Sequence, residues 1–249
     1  MAPIGDPNAK RSFARTGIRS PEGIAVDYIT GNVFWTDSGL DRIQVAKADG
    51  SERAVLVSTG MVNPRGIAVD PIGGKMYWSD WNRVNPRIME ANMDGSNVRT
   101  FLQDGLKLPN DVTIDQFYRK LCFIDAGTKK IECMNLDGSQ RVVVYDISTA
   151  SGGTQQPFGL AVDGGMVYYT DRRGERVYAI NTANGEIISV AGPVGSHGHM
   201  YGITLAYSQC ASGYNACSIG NGGCPHLCIP IPDGKRCKCP VDVPGCTDQ

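Results

Sequence analysis

The sequence lacks an excess of charge of either sign, and it lacks long apolar runs. Its 249 residues contain 24 Lys and Arg against 25 Asp and Glu, which gives a formal net charge of −1. Nothing in this balance suggests a nucleic-acid-binding protein, which would need a basic stripe, so we expect no nucleic-acid partner. The apolar runs are strand-sized and far shorter than the roughly 20 residues of a membrane helix, so we expect no membrane insertion.

Two processing signals are also missing. No Asn-x-Ser or Asn-x-Thr triplet occurs in the sequence, so N-glycosylation is not expected. The non-repeat segment formed by residues 1–18 has no apolar core of the length found in a signal peptide.

Cysteine, by contrast, is concentrated at one end of the chain. Six of the nine cysteines lie close together: Cys217, Cys224, Cys228, Cys237, Cys239 and Cys246. A segment this short cannot form its own apolar core, so disulfides are expected to hold it together. Disulfides predict an oxidising compartment and therefore a secreted protein. Since no signal peptide is recognisable, we expect the chain to be a fragment of a longer secreted protein.

One sequence motif recurs four times. The copies are PEGIAVDYITGNVFWTD, PRGIAVDPIGGKMYWSD, PNDVTIDQFYRKLCFID and PFGLAVDGGMVYYTD. Their final aspartates are separated by 43, 45 and 46 residues: Asp37, Asp80, Asp125 and Asp171. A fifth copy opens at residues 200–208 and then stops. Recurrence at this period is typical of a repeat architecture.

Each copy predicts four short strands. Four strands in roughly 40–45 residues indicate one blade of a β-propeller. Because a single blade exposes both of its faces, it is stable only between neighbours. The recurring aromatic residues are therefore expected to pack between blades. The recurring aspartates are expected to accept hydrogen bonds from backbone amides at strand ends.

The third copy carries a cysteine pair of its own. If LCFID and KKIECMN form a hairpin in which Asp125 faces Lys130, then Cys122 faces Cys133. Directly opposed residues of antiparallel strands have the Cα separation that a disulfide needs. We therefore predict a Cys122–Cys133 disulfide.

The repeats resemble the YWTD propeller, which is built from the class B repeats of the low-density-lipoprotein receptor family. The closer resemblance is to the nidogen family. The stretches that carry it are NPRGIAVD, YWSDWNR with NPRI, LCFIDAGTKKIEC, and MYGITLAYSQC running into NGGCPHLC. The resemblance as a whole covers about residues 19–246, and the order of the features is kept. The resemblance implies an all-β fold, with a six-bladed propeller over residues 19–210 followed by an EGF-like domain over residues 213–246.

The chain departs from this pattern in the number of its repeats. Blades are expected at about residues 19–62, 63–107, 108–155 and 156–199, with a part-repeat at 200–210. Six blades need about one and a half more, so we expect an incomplete propeller that is truncated at its N-terminal side. Such a propeller leaves sheet edges and apolar faces uncovered.

The resemblance also implies how the remaining cysteines pair. Six cysteines alone allow 15 connectivities, and the EGF-like pattern selects Cys217–Cys228, Cys224–Cys237 and Cys239–Cys246. Cys210 is left unpaired. In nidogen-like chains, a cysteine at this place pairs with one in the first blade of the complete propeller, and this chain is expected to lack that segment. Calcium-binding EGF-like modules carry carboxylates before the first cysteine. Here that stretch is ASGYNA, so we expect no calcium and no other cofactor.

Candidate binding residues occupy the places where the repeats differ. The loop that enters each inner strand varies in chemistry from copy to copy: Glu22, Arg65, Asn110, Phe158 and Tyr201. These loops are expected to meet around the central opening of one face. Trp81, which follows the second aromatic strand, points to the same rim, and an unrepeated Trp in a loop is a typical interface anchor.

The nidogen resemblance implies a partner for this rim. That family's propeller binds an EGF-like module of the laminin γ chain, whose loop offers an acidic residue and an asparagine. Arg65 is placed to pair with the carboxylate. Other basement-membrane proteins are further candidate partners, and the expected location is the extracellular matrix. Where the family carries a tryptophan after the fourth aromatic strand, this chain has Arg172, which puts that contact in doubt.

Two other interpretations remain open at this point. The chain could be a fragment of a lipoprotein-receptor-type ectodomain. It could also be a calcium-dependent propeller hydrolase with Glu22, Asn110 and Asp111 as metal ligands. Against the hydrolase, Arg65 at the same rim would oppose a cation, and no Ser-His or Cys-His arrangement is recognisable. We therefore interpret the chain as a binding protein and not as an enzyme.

Overall fold

The propeller part of the chain consists of four antiparallel four-stranded blades. The computed structural model describes residues 13, 16–149, 156–191, 199–205 and 212–249. Blade 1 comprises β1 (Pro21–Val26), β2 (Val33–Asp37), β3 (Arg42–Ala46) and β4 (Ala54–Val57). Blade 2 comprises β5 (Pro64–Asp70), β6 (Lys75–Asp80), β7 (Arg87–Asn92) and β8 (Arg99–Leu102). Blade 3 comprises β9 (Pro109–Asp115), β10 (Lys120–Asp125), β11 (Lys130–Asn135) and β12 (Val142–Asp146). Blade 4 comprises β13 (Pro157–Asp163), β14 (Met166–Asp171), β15 (Arg176–Asn181) and β16 (Ile187–Ala191).

The strands of each blade follow one another in chain order, and the inner strands β1, β5, β9 and β13 are neighbours around the cavity. This arrangement confirms the predicted all-β propeller with YWTD-type repeats. The described residues also contain a hairpin of β17 (Leu227–Ile231) and β18 (Gly234–Lys238), and short 3-10 helices at Ile147–Thr149 and Gly220–Gly223. Among the residues described, no helix is long and apolar enough to cross a membrane.

The aromatic strands build the core between blades. Phe34 of blade 1 shares a buried cluster with Ile67 and Trp78 of blade 2. Tyr77 and Phe123 meet in the same way between blades 2 and 3. Each of these buried apolar side chains contributes roughly 1.5–3 kcal/mol by its removal from water. The aromatic position predicted to pack between blades therefore does so.

In blades 1, 2 and 4, a hydroxyl in the aromatic strand makes a link to the next inner segment of the chain. The Thr36 side chain donates a hydrogen bond to the backbone carbonyl of Arg65. Ser79 donates to the carbonyl of Asn110 at 3.2 Å, and Thr170 donates to that of Tyr201 at 2.6 Å. These bonds hold the variable loop residues at one end of the inner strands.

Residues 201–203 occupy the place of a further inner strand, although the structure assigns no strand there. A Cβ at Gly159 would lie 2.5 Å from the Tyr201 carbonyl oxygen and 3.0 Å from the Ile203 nitrogen. Gly23 makes the same close approach to the Arg65 carbonyl and the Ile67 nitrogen. Only glycine allows two inner strands to come this close. The rest of the expected part-repeat, residues 206–210, lies outside the described residues.

The recurring aspartates accept backbone hydrogen bonds, as predicted. Asp37 is fully buried, and its carboxylate accepts from the amides of Arg19 and Ser20 at 2.7 and 2.9 Å. Asp125 does the same for Lys107 and Leu108 at 2.7 and 3.0 Å. Each aspartate thus ties the loop that precedes its blade to the end of the aromatic strand.

Among the described residues, no other blade covers one of the two faces of blade 1. Ile24 and Val26 are 66% and 50% exposed, whereas the equivalent Ile67 and Val69 of blade 2 are 5% and 6% exposed. Part of this face is covered by Phe13, whose ring packs edge-on against Trp35 with centroids 5.6 Å apart. The four blades therefore form an incomplete ring.

The described residues contain four disulfides, which join the cysteines of the four expected pairs. Cys122 and Cys133 lie opposite each other in the β10–β11 register, with Cα atoms 4.1 Å apart. The C-terminal disulfides are Cys217–Cys228, Cys224–Cys237 and Cys239–Cys246. Their pattern is that of an EGF-like module. Cys210 lies outside the described residues.

The EGF-like module packs against blades 1 and 2. Leu227 and Ile229 are fully buried and belong to the core cluster of these two blades. The Asn32 side-chain amide donates to the Cys228 carbonyl at 3.0 Å. Arg236 lies 3.4 Å from the carboxylate of Asp94. These contacts involve the β1–β2 and β7–β8 loops, so the module lies on the face opposite the variable loops.

Candidate functional site

The variable loop residues surround one large cavity. Its volume is about 1210 Å³, and it lies along the inner strands. All five residues predicted from the loops entering these strands line it: Glu22, Arg65, Asn110, Phe158 and Tyr201. Trp81, at the start of the β6–β7 loop, does not line the cavity itself, but its ring stacks against Arg65, which does. The structure therefore brings together all six residues that the sequence singled out, and we call this set the rim.

Arg65 lies at the centre of the rim. Its guanidinium stacks 4.2 Å from the centre of the Trp81 ring and 5.5 Å from that of Phe158. Its Nη1 donates to the Asn110 side-chain oxygen at 3.2 Å. Stacked between two aromatic faces, the guanidinium is held in one orientation.

The charges near Arg65 are mostly positive. Burial lowers the pKa of Arg65; nearby Glu22 opposes this effect, while Arg172 and Arg83 add to it. The guanidinium remains charged, because arginine does not lose its proton in proteins. Arg83 stacks 4.8 Å from the Trp81 ring, and Arg172 lies 5.2 Å from the Tyr201 ring. Arg83 and Arg172 thus flank the rim, so that three guanidinium groups lie at or beside it together with the exposed carboxylate of Glu22.

Three donors at or beside the rim have no hydrogen-bond partner within the described part of the chain. They are Nε of Arg65, Nε1 of Trp81 and Nε of Arg172, and all three are shielded from solvent. A buried donor without a partner costs about 1–3 kcal/mol. Because the charged Arg65 side chain itself lines the cavity, the rim suits a ligand with acceptor oxygens, such as a carboxylate or a backbone carbonyl.

The aromatic side of the rim is formed by Phe158 and Tyr201. Their rings meet edge to face with centroids 5.1 Å apart. Tyr201 is 48% exposed, and Phe158 is half-buried. Glu22 is exposed, and its carboxylate accepts from the Ser38 hydroxyl at 3.0 Å. The rim therefore offers accessible apolar surface beside its cations.

Asn110 is more constrained than the sequence suggested. It is 8% exposed, and its amide nitrogen donates to the Pro157 carbonyl at 2.8 Å. Its oxygen is occupied by Arg65. Asn110 therefore positions Arg65 and joins blades 3 and 4, in addition to lining the cavity.

Asp111 occupies a position that is glycine in the other copies of the motif. Its carboxylate accepts from the amides of Val112 and Leu160, both at 2.9 Å. Burial raises the pKa of Asp111 to about 7. Sequence reasoning placed Asp111 only in the hydrolase alternative; the replacement of glycine by aspartate in PND was the signal for its unusual environment.

Arg83 was missed by the sequence analysis, although the β6–β7 loop that carries it is longer than the β2–β3 loop.

Metal-binding chemistry finds little support at the rim. Within the described residues, no group of three or more His, Cys, Asp or Glu side chains is placed to hold a metal ion. The oxygens of Asn110 and Asp111 are already bonded to Arg65 and to backbone amides.

The comparisons with known proteins agree with this architecture. A family model described as the low-density lipoprotein receptor repeat class B matches residues 31–71 and 74–116. A chain of a crystal structure of a nidogen/laminin complex is 44% identical, with a TM-score of 0.73. The match covers 82% of this chain and 75% of that chain. This chain belongs to the nidogen family.

Two curated relatives, a nidogen and a receptor-related protein, show how much of the chain is matched. Nidogen of Drosophila melanogaster is 40% identical over 245 residues, which are 95% of this chain and 18% of the relative. Low-density lipoprotein receptor-related protein 5 of Mus musculus is 35% identical over 229 residues, which are 90% of this chain and 14% of the relative. The chain thus spans less than a fifth of the length of these relatives.

Proposed function

We propose that this nidogen-family chain is the laminin-binding part of a basement-membrane protein. In this proposal, the rim binds an EGF-like module of the laminin γ chain and links laminin to other matrix components. The observation that carries it is the Arg65 guanidinium, which lies against the rings of Trp81 and Phe158 and lines the cavity. The similarity to a chain of a nidogen/laminin complex supports the choice of partner.

Each rim residue has a role in the proposed complex. Arg65 binds a carboxylate of the partner, and Trp81 and Phe158 exclude water from this pair, which strengthens it. Tyr201 provides exposed contact area. Asn110 holds Arg65 in place. Glu22 favours partners that carry a cation near their acidic residue.

We also propose that the chain is secreted into the extracellular matrix and acts there without catalysis. Its four disulfides support an oxidising compartment. Arg65 beside the cavity opposes a catalytic cation. The nidogen family and the receptor-type relative support a binding role.

The experiment is a binding titration of the chain against a laminin γ-chain EGF-like module. We expect Arg65→Ala and Trp81→Ala each to weaken binding by about 2 kcal/mol or more, roughly 30-fold, as central interface anchors do. Arg65→Lys should restore little, because lysine lacks the planar fork that stacks and binds two oxygens. Binding should also weaken as salt is added.

Arg99→Ala is the matched control. Arg99 lies on the outer strand of blade 2, where it pairs with Glu90 at 3.0 Å, so this variant should bind like the wild type. If the folded chain does not bind the laminin module, or if Arg99→Ala and Arg65→Ala weaken binding equally, the proposal is wrong.

A further inference from the structure

The face opposite the rim contains an open groove between blades 3 and 4. Its volume is about 240 Å³, and its apolar lining is formed by Cys122, Cys133, Val142, Val144, Val162 and Val167. Asp115 and Lys120 lie at its edge. This volume falls below the roughly 300–1,000 Å³ of a typical small-molecule site, and it suits one or two aliphatic side chains.

The equivalent groove between blades 1 and 2 is occupied. Cys122, Cys133 and Val142 are cross-strand neighbours on three successive strands of blade 3. The equivalent cross-strand neighbours in blade 1 are Phe34, Val45 and Ala54. On blades 1 and 2, this position is covered by Leu227 and Ile229, which are two residues apart on β17 of the EGF-like module. The chain itself therefore shows what this type of groove binds.

The groove between blades 2 and 3 is filled by the propeller's own side chains. Tyr77 packs edge-on against Phe101, with centroids 5.2 Å apart. The Tyr77 hydroxyl donates to the Leu136 carbonyl at 3.3 Å, and Leu136 packs on the same cluster. Among the three described junctions, the one between blades 3 and 4 is thus left open. Beside it, Val142 and Val143 are 48% and 49% exposed.

We propose that the groove between blades 3 and 4 binds an apolar β-strand from an EGF-like module of another protein. The strand would insert two aliphatic side chains at positions i and i+2, as Leu227 and Ile229 do between blades 1 and 2. Lys120 in blade 3 is equivalent to Asn32 in blade 1 by strand register. The Asn32 side chain donates a hydrogen bond to the Cys228 carbonyl of β17. The Lys120 ammonium group can donate to a strand carbonyl in the same way.

A second copy of this chain is a poor occupant. Its Leu227 and Ile229 are fully buried against its own blades and are not available to a neighbour. The occupant is therefore a module from a different protein. This binding site lies on the face away from the rim and does not depend on the laminin proposal.

The test uses the full chain and a fluorescent, backbone-cyclised hairpin peptide with the sequence of residues 227–238 and serine in place of Cys228 and Cys237. Fluorescence anisotropy should show saturable binding. Replacing Leu227 and Ile229 of the peptide by serine should weaken its binding to the chain at least tenfold. In the protein, Val142→Glu places a charge at the groove and should also weaken binding at least tenfold.

Val143→Glu is the matched control, because Val143 is equally exposed on the same strand but does not line the groove. It should bind like the wild type. Should Val142→Glu fail to fold by circular dichroism, Thr182→Arg blocks the groove from an exposed position.

Three results would overturn the proposal. The peptide does not bind the wild type saturably, or the blocking variant binds it normally, or Val143→Glu weakens binding as much as the blocking variant. Sedimentation of the chain alone tests whether a second copy of the chain occupies the groove. Self-association that Val142→Glu abolishes would assign the groove to a second copy instead.

Discussion

Asp111→Asn should change how the stability of this protein depends on pH. The ordinary pKa of the carboxyl is 3.8, and burial raises it to about 7 in the folded chain. The folded state therefore holds the proton more tightly than the unfolded state. Because ionisation then disfavours folding, the stability of the wild type falls as pH rises from about 4 to about 7, and this contribution is constant above that range.

The size of the effect follows from the two pKa values. One pKa unit corresponds to about 1.4 kcal/mol, so a rise from 3.8 to about 7 corresponds to about 4 kcal/mol of lost stability at pH 8. Asparagine cannot ionise. It also loses one of the two backbone bonds that the carboxylate accepts, from Val112 and Leu160, but this loss is the same at every pH.

The assay is urea unfolding of both proteins at pH 4, 6 and 8, followed by tryptophan fluorescence with the disulfides intact. The stability of Asp111→Asn relative to the wild type should increase by several kcal/mol between pH 4 and pH 8. Asp146→Asn is the control: a hydrogen bond from the Ser148 hydroxyl contributes to lowering the pKa of Asp146, so its curve should parallel the wild type in this range. A constant difference between Asp111→Asn and the wild type would refute the reasoning.

Three further predictions concern the contacts that hold the fold together. Replacing Cys122 and Cys133 by alanine should lower the free energy of unfolding by about 2–3 kcal/mol, measured by urea titration, since the disulfide closes a short loop; an unchanged midpoint would contradict this. Thr36→Val removes a buried hydroxyl that donates to the Arg65 carbonyl and should cost about 1–3 kcal/mol in the same assay, whereas Thr36→Ser should restore most of it. Leu227→Ala should cost about 2–5 kcal/mol, and amide exchange should increase in blades 1 and 2 while blade 4 keeps its protection; equal exchange in all blades would contradict the docking described above.

Much of the fold could be predicted because its signals are local and repeated. The motif around Asp37 and its copies fixes the four strands of each blade, and strand register alone places Cys122 opposite Cys133. The rim followed from the same alignment, since equivalent loops of a propeller meet at one opening. Contacts within a repeat or between equivalent positions can thus be read from periodicity.

The contacts that could not be predicted join unlike parts of the chain. Nothing in the spacing of Leu227 and Ile229 indicates that they complete the core of blades 1 and 2. The stacking of Arg65 on Trp81 depends on side-chain orientation across two loops, which a pattern of residue types does not specify. The environment of Asp111 depends on burial between neighbouring blades, and this too is a property of the assembled ring.

The position of the EGF-like module has a consequence for how the protein folds during synthesis. Blades 1 and 2 emerge from the ribosome before the EGF-like module, yet two side chains of their core, Leu227 and Ile229, belong to that module. The three disulfides that shape this part must also form before it can dock in its native shape. Until the module has been made, the junction of blades 1 and 2 therefore lacks two of its apolar side chains, and such exposed apolar surface favours aggregation during folding.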